Sequence, residues 1–156
     1  MNEQSPVVPD AMTSAKALGG GLPIGALITG PRLADVLQPG DHGSTFAGGP
    51  LVASAALEAV HICADPELLE SVRALGERLS AALAELPAIA SVRGRGLMVG
   101  VDLHDGISAT DLAQRALLEQ RLVVNATGPA TIRFEPPLIV TEAEIDEAVS
   151  RLGALM

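Results

Sequence analysis

A single lysine stands just before a run of glycines near the start of this sequence. Lys16 is the only lysine in the 156 residues, and Gly19, Gly20 and Gly21 follow it closely. A phosphate-binding loop places its glycines before the lysine and a serine or threonine after it, because backbone amides must wrap the phosphate while the amine reaches it. The order here is reversed, so the stretch does not indicate a nucleotide-binding loop.

A second chemistry open to Lys16 is the formation of an imine with a carbonyl compound. Only the unprotonated amine attacks a carbonyl, and burial lowers the pKa of a lysine. Ala15, Ala17 and Leu18 predict a buried, apolar setting, and the glycines would let the backbone pass beneath a flat cofactor. The competing interpretation is that arginine, with nine copies, has replaced lysine generally and that Lys16 is an exposed survivor. Composition leaves both interpretations open.

A second candidate site lies in the loop DHGSTFAGGP, which ends at Pro50. Ser44 and Thr45 offer hydroxyl groups shortly before a predicted helix. A helix N-terminus carries partial positive charge, and this arrangement suits a phosphate. Most loops of this composition are only turns with a cap, so the simpler interpretation stays open.

A third candidate is Arg133 in TIRFEPPLIVT. Flanked by Ile132 and Phe134 in an apolar strand, its guanidinium suits the two-pronged contact that grips a carboxylate. An exposed arginine on the outer face of an edge strand fits the same pattern.

Composition narrows the classes of partner. Hydrophobic residues make up 48% of the chain, which predicts a packed globular protein. The net charge of −9 repels phosphate backbones, so no nucleic-acid partner is expected. The three histidines lack metal-like spacing, and no metal site is predicted. A small-molecule partner fits this composition best.

Cys63 lies in the apolar run LVASAALEAVHICA and is predicted to fill a core position. A single cysteine forms no internal disulfide, which fits a reducing compartment. No apolar stretch reaches membrane-spanning length, and the first residues do not resemble a secretory signal. We therefore expect a cytoplasmic protein without a membrane partner.

Hydrophobic patterning predicts three elements in the first half of the chain. Residues 22–29 fit a buried strand, and residues 50–63 fit an apolar helix that begins at a proline. Leucines at helical spacing then predict a long amphipathic helix over about 66–86. A domain boundary is expected near residue 87.

The second half predicts a small α/β lobe. SVRGRGLMVGVDL has the pattern of one strand that starts in a tight bend. Ser108 with Asp111, and Thr141 with Glu144, have the capping-box spacing and predict helices over about 109–120 and 142–154. Between these helices, RLVVNA and ATIRF read as two short strands.

Four landmarks follow one another along the chain: TSAKALGGGLPIGALI, DHGSTFAGGPLVASAALE, VRGRGLMVGVDL and LVVNATGPATIRFEPPLIVT. Together they resemble the class III aminotransferases, which use pyridoxal phosphate. The resemblance runs from about Val7 to the C-terminus. It implies an α/β fold, the C-terminal part of a fold type I transferase. Residues 1–87 would be a remnant of the large doubly wound domain with its linking helix, and residues 88–156 the small α/β domain.

The resemblance also implies roles for the candidate residues. Lys16 would hold the cofactor through an imine and move a proton between substrate and cofactor. Thr45, helped by Ser44, would bind the cofactor phosphate across the interface of a homodimer. Arg133 would grip a carboxylate of glutamate or 2-oxoglutarate. The implied reaction moves an amino group from the δ-carbon of N-acetylornithine to 2-oxoglutarate.

Two departures from the family pattern bear on these expectations. The family usually has Gly-Gly-Asn-Pro after the phosphate-binding threonine, whereas this chain has AGGP before its predicted helix. Nothing ahead of Val7 supplies the family's upstream parts, including the aspartate that pairs with the cofactor ring nitrogen. We therefore expect a C-terminal fragment that is inactive alone. The alternative is a non-catalytic remnant that serves as an oligomerisation or binding module.

Overall fold

The computed structural model describes residues 7–45 and 47–156. By its contacts the chain divides into an N-terminal unit that ends at Asp65 and a C-terminal unit from Pro66 to Met156. Helices and strands occur in both units, which confirms the predicted α/β class. Among the described residues, no helix combines the length and apolarity needed to cross a membrane.

The described part of the N-terminal unit consists of a small hairpin, two 3-10 turns and one helix. Strands β1 (Ala11–Ser14) and β2 (Ala26–Thr29) pair antiparallel. One 3-10 turn covers Lys16–Gly19 and the other covers Pro31–Leu33. Helix α1 spans Pro50–Cys63, as the sequence predicts.

Strand β2 differs from the predicted buried strand over residues 22–29. It begins only at Ala26, because Pro23 donates no ladder hydrogen bond and Gly25 weakens a strand. Leu27 is 54% exposed and Ile28 is 46% exposed. The expectation of a buried strand is therefore wrong for the chain as described.

Helix α1 is apolar apart from one polar stripe, Ser54, Glu58 and His61, and it buries little of its apolar surface. Ala56 is the only hydrophobic side chain that is buried among the described residues of this unit. Leu51, Leu57 and Ile62 are each more than half exposed. Cys63 is exposed too, so its predicted core position is wrong, because the described part of the unit has no core for it to enter. An exposed apolar helix surface of this kind is typical of an interaction site.

The C-terminal unit contains a four-stranded antiparallel sheet in the order β3-β4-β6-β5. Its strands are β3 (Ile89–Arg95), β4 (Met98–Leu103), β5 (Asn125–Ala126) and β6 (Thr131–Phe134). The prediction of one strand in SVRGRGLMVGVDL is wrong, because the stretch forms the β3–β4 hairpin. Gly96 makes the turn between the two strands with a φ of 51°, a left-handed conformation that glycine adopts without strain.

Three helices complete this unit, close to the predicted bounds. They are α2 (Pro66–Ala84), α3 (Ala109–Gln120) and α4 (Glu142–Gly153). The hydroxyl of Ser108 accepts a hydrogen bond from the Asp111 amide at the start of α3. At α4, Thr141 and Glu144 form both halves of the capping box. Local side-chain chemistry thus sets where both helices begin.

One hydrophobic core holds the C-terminal unit together. The inward faces of the sheet and of the three helices supply it, including Leu83, Val99, Val101, Ile132, Ile145 and Leu152, each fully or almost fully buried. Helix α2 contributes Leu79 and Leu83, so its packing groups it with the C-terminal unit. The domain boundary near residue 87 stays a prediction.

Candidate functional site

Lys16 occupies the first position of a 3-10 turn with a left-handed backbone, φ 56°. This conformation costs a non-glycine residue about 1–2 kcal/mol. Strain of this kind gathers at functional sites in proteins. Gly20 and Gly21, with φ of 59° and 104°, are left-handed again where the 3-10 turn ends. A Cβ on either would meet no atom within 4 Å, so these glycines serve the turn rather than a close contact within the chain.

The side chain of Lys16 is exposed, and so are the flanking Ala15 and Ala17. The predicted buried setting is therefore wrong for the described chain. The physical reason is that Ala15 and Ala17 lie in a surface turn, where none of the residues that the structure describes packs over them. The local sequence shows which residues flank Lys16, but burial depends on residues that are remote in sequence.

Ser44 and Thr45 lie in an exposed loop before α1. The N-cap of this helix is Gly49, which offers no side-chain hydrogen bond, and Pro50 occupies the first turn. The amides of a first helical turn lack partners inside the helix. Within the described ranges, neither hydroxyl has a hydrogen-bond partner. The loop and the uncapped helix end thus present donors of the kind that an anion takes.

Arg133 lies on β6, exposed, and its Nε is 2.8 Å from a carboxylate oxygen of Glu135. Residues two apart in an extended segment share one side of it, and this alternation explains the ion pair. Asn125 on β5 is directly opposite Arg133 in the antiparallel register. Sequence reasoning missed Glu135, although the Arg-x-Glu spacing in a predicted strand carried the signal.

A cleft of about 550 Å³ adjoins Arg133 in the C-terminal unit. Its polar lining comes from Asn125, Arg133, Glu135 and Glu144, and the remaining lining residues are apolar side chains and prolines. An arginine at the margin of an apolar cleft suits an organic anion, because the charged group fixes the orientation of a ligand whose carbon chain is desolvated.

Next to Arg133 on the sheet, Asp102 gathers three donors. Its carboxylate accepts hydrogen bonds from Ser91 Oγ at 3.0 Å, from Thr131 Oγ1 at 2.8 Å and from Arg93 Nη1. These donors, Arg93 foremost, lower the pKa of Asp102 to about 2. Asp102 is thus an ionised anchor that fixes Arg93 on the sheet. The sequence did not single out Asp102, because its donors come from neighbouring strands.

The structure places the predicted residues in both units. Lys16, Ser44 and Thr45 belong to the N-terminal unit, and Arg133 belongs to the C-terminal unit. In the described part of the chain, no hydrogen bond joins Lys16 to Ser44 or Thr45. A site shared by all four residues stays a prediction. Residues 7–45 and 47–156 contain no group of three histidine, cysteine or acidic side chains arranged to hold a metal ion.

Comparison with known proteins identifies relatives over almost the whole chain. The acetylornithine aminotransferase of Thermosynechococcus vestitus is 47% identical over 156 residues, which cover 96% of this chain and 37% of the relative. The ornithine aminotransferase of Staphylococcus carnosus is 44% identical, with 92% and 36% covered. The chain therefore spans little more than a third of the length of these relatives.

A solved structure of an aminotransferase is also similar to this chain. An ornithine aminotransferase from Toxoplasma gondii, with pyridoxal phosphate at partial occupancy in its active site, superposes with a TM-score of 0.83 at 34% identity, covering 96% of this chain and 37% of that one. The family described as aminotransferase class III matches residues 1–156. The chain belongs to the class III aminotransferases, a family of pyridoxal-phosphate-dependent enzymes.

Proposed function

We propose that this chain supplies the cofactor lysine and a substrate-binding arginine of an aminotransferase that acts on N-acetylornithine and 2-oxoglutarate. The observation that carries the proposal is Lys16. It is the only lysine of the chain, its own φ is left-handed and strained at the start of a 3-10 turn, and it lies within the family match. Strain at a functional residue is maintained when the site requires its geometry.

The donor set of the N-terminal unit fits pyridoxal phosphate. Lys16 offers the primary amine that a cofactor aldehyde requires. Gly20 and Gly21 leave open space where a side chain would stand. Ser44, Thr45 and the uncapped end of α1 supply hydroxyl and amide donors for a phosphate.

When bound, the cofactor supplies an electron sink for the charge that develops as the substrate C–H bond breaks. The protein residues hold the cofactor, orient the substrate and move the proton. The amine of Lys16 anchors the cofactor and then carries the proton to and from the reacting carbon. The guanidinium of Arg133 binds a carboxylate of the dicarboxylic substrate and so orients it.

Ser44 and Thr45 are proposed to bind the phosphate held by the other subunit of a homodimer. Two features support an assembly. The loop is exposed and its hydroxyls are free for an outside ligand in the described structure. Leu51, Leu57 and Ile62 of the adjoining helix α1 present an apolar surface, which a second subunit would remove from water.

The identity of the amino donor is the most specific part of the proposal. Both an acetylornithine and an ornithine aminotransferase match the chain at more than 40% identity, so ornithine is the main competitor, followed by succinylornithine and 4-aminobutyrate. Rates with N-acetylornithine and ornithine at equal concentration decide between them. The cytoplasmic location is part of the same proposal.

A second candidate function is a non-catalytic oligomerisation or binding module. The exposure of Lys16 favours it, because the described residues do not enclose the amine as a binding pocket would.

Absorbance spectroscopy of the purified chain with pyridoxal phosphate separates the two functions. The aminotransferase proposal expects an imine band near the visible edge that is lost in Lys16→Ala. Lys16→Arg is the matched control, since it keeps the charge but forms no imine. Borohydride reduction and peptide mapping then assign the modified amine, because the N-terminus is the other primary amine available.

Addition of glutamate to the same sample provides a second measurement by absorbance. Conversion of the cofactor to its amine form supports a working site, and Arg133→Gln should slow that conversion. A spectrum without an imine band, or a band that both Lys16 variants retain, contradicts the aminotransferase proposal and supports the binding module.

A further inference from the structure

The 3-10 turn Lys16–Gly19, which we call the lysine turn, begins where the β1–β2 hairpin ends. The last pair of the antiparallel ladder is Ser14 opposite Ala26, and one extended residue, Ala15, separates this pair from Lys16. The position of Lys16 therefore depends on the register of the two strands. A slip of one residue would shift the strands by about 3.4 Å, and a misplacement of about 1 Å is enough to slow a reaction strongly.

Burial specifies this register only weakly. A sheet with one buried face fixes its register, because a slip of one residue turns the apolar side chains towards water. In the described structure, neither β1 nor β2 contains a buried residue. Leu27 and Ile28 of β2 are 54% and 46% exposed. Within the described chain, the specificity of the register must come from other contacts.

The open end of the hairpin provides such contacts. The amide of Gly30 donates a hydrogen bond of 2.8 Å to the carbonyl oxygen of Asp10. The Nη1 atom of Arg32 lies 3.2 Å from Oδ1 and 3.0 Å from Oδ2 of the same aspartate. Asp10 is thus bound through its backbone and through its side chain to the segment that follows β2. We call these two contacts the hairpin clamp.

The hairpin clamp fits only the observed register. A slip of β2 by one residue in one direction would bring Pro31 opposite Asp10, and proline has no amide hydrogen to donate. A slip in the other direction would bring Thr29 opposite Asp10 and would move Arg32 away by about 3.4 Å. Each slip therefore breaks at least one of the two contacts.

The ion pair of the hairpin clamp is exposed, so its effect is expected to be modest. The side chain of Arg32 is 81% exposed and that of Asp10 is 50% exposed. Among the described residues, neither side chain has another partner. Water and salt weaken such a pair, but a small stabilisation is enough to select between registers that differ little in buried surface.

We propose that Asp10 and Arg32 are positioning residues for Lys16, and that the hairpin clamp maintains the strand register that places the lysine amine for the cofactor. The inference rests on the proposed function through the role of Lys16. It assigns a task to two residues that the sequence did not single out.

NMR of the cofactor-free full chain, labelled only with 15N-lysine, tests the hairpin clamp. Lys16 is the only lysine, so the backbone gives a single amide signal, which comes from the lysine turn itself. Asp10→Asn and Arg32→Gln should each shift or double this signal, although both substitutions lie at the opposite end of the hairpin. An unchanged Lys16 signal in both variants would overturn the proposal.

Asp35→Asn is the matched control. Asp35 is an exposed aspartate of the same unit, and its carboxylate has no partner among the described residues. The substitution removes the same charge without touching the hairpin clamp, so the Lys16 signal should stay as in the parent chain. Equal changes in Asp10→Asn and Asp35→Asn would show a response to net charge and would contradict the proposal.

Exchange of the two charges should restore the hairpin clamp. The double variant Asp10→Arg with Arg32→Asp keeps the net charge and allows the same ion pair in reverse. Its Lys16 signal should return to a single peak near the parent position, because the effects of two residues in direct contact are not additive. A double variant that is as perturbed as the single variants would show that the ion pair does not set the register.

Pyridoxal phosphate provides the functional measurement. Asp10→Asn and Arg32→Gln should each raise the Kd for imine formation at Lys16 by about two- to fivefold, the effect expected of an exposed ion pair. The charge-exchanged variant should recover the parent Kd, and unchanged values in the single variants contradict a positioning role. If the parent chain forms no imine, the proposed function fails, whereas the Lys16 amide signal still decides on the hairpin clamp. The two failures are therefore distinguishable.

Discussion

Gly76 of α2 lies directly against Gly96, the turn residue of the β3–β4 hairpin. A Cβ on Gly76 would be 2.2 Å from the carbonyl oxygen of Gly96, a distance that requires the backbone to move. Helix α2 is thereby docked onto the hairpin that carries Arg93 and Asp102.

Gly76→Ala is expected to destabilise the C-terminal unit by about 1–3 kcal/mol or more, through overpacking. In an open helix the same change would stabilise by about 1 kcal/mol, so the sign of the effect reports the contact. Urea unfolding measures it. Gly100→Ala serves as the control, because its Cβ has ordinary contact distances, and it should be near neutral.

The C-terminal unit is expected to fold without the rest of the chain. All residues of the hydrophobic core lie at or beyond Val72, so an excised fragment of residues 66–156 retains every core contact. Circular dichroism should show one cooperative thermal transition for this fragment. A gradual, non-cooperative loss of signal would mean that the core requires the N-terminal unit.

Asp102→Asn should change the acid stability of the protein. The folded-state pKa of Asp102 is about 2, below its ordinary value of 3.8. A lowered pKa favours folding while the carboxylate is ionised, and that contribution is lost as pH falls from about 4 towards 2. Unfolding midpoints measured across this window should fall less steeply in Asp102→Asn than in the parent chain.

Two other carboxyl groups also have lowered pKa values, so the comparison must be made variant against parent. They are Glu144, hydrogen-bonded to Thr141, and Asp146, hydrogen-bonded to Arg78. Both remain in Asp102→Asn. Identical pH slopes in variant and parent would show that the three donors around Asp102 do not favour its ionised form.

Thr141→Ala should cost about 1 kcal/mol, because it removes the N-cap of α4. Thr141 Oγ1 accepts the Glu144 amide at 3.3 Å, and the Glu144 carboxylate accepts the Thr141 amide at 2.8 Å. Denaturant unfolding gives the loss. Thr110→Ala, at an exposed position within α3, makes the same atomic change without a cap and is expected to have little effect.

The helix starts were the most predictable features, because the signals are local. The side chains that cap α3 and α4 lie within three residues of the amides that they satisfy, so a short window of sequence contains both partners. The β3–β4 hairpin was missed for the opposite reason. Val92 and Val101 sit on different strands, and an unbroken apolar and glycine pattern does not mark where a chain reverses.

The candidate site was predicted unevenly. Lys16 and Arg133 stood out by residue type and by family resemblance. The carboxylates of Asp102 and Glu135 did not stand out, because their roles depend on their neighbours in the sheet. Asp102 lies opposite Thr131 on the next strand, and Glu135 lies on the same side of its strand as Arg133. Exposure of Lys16 was misjudged, since burial depends on parts of a protein remote in sequence.

The contrast between the two units has a thermodynamic consequence for Lys16. The N-terminal unit buries one hydrophobic side chain among its described residues, Ala56, yet it carries a lysine turn with an unfavourable backbone. In the proposed homodimer, the surface that covers α1 would also help to keep this turn in place, because α1 packs against the turn. By mass action the order of the turn would then rise with the protein concentration, so dilution would loosen the lysine turn before it unfolds the C-terminal sheet.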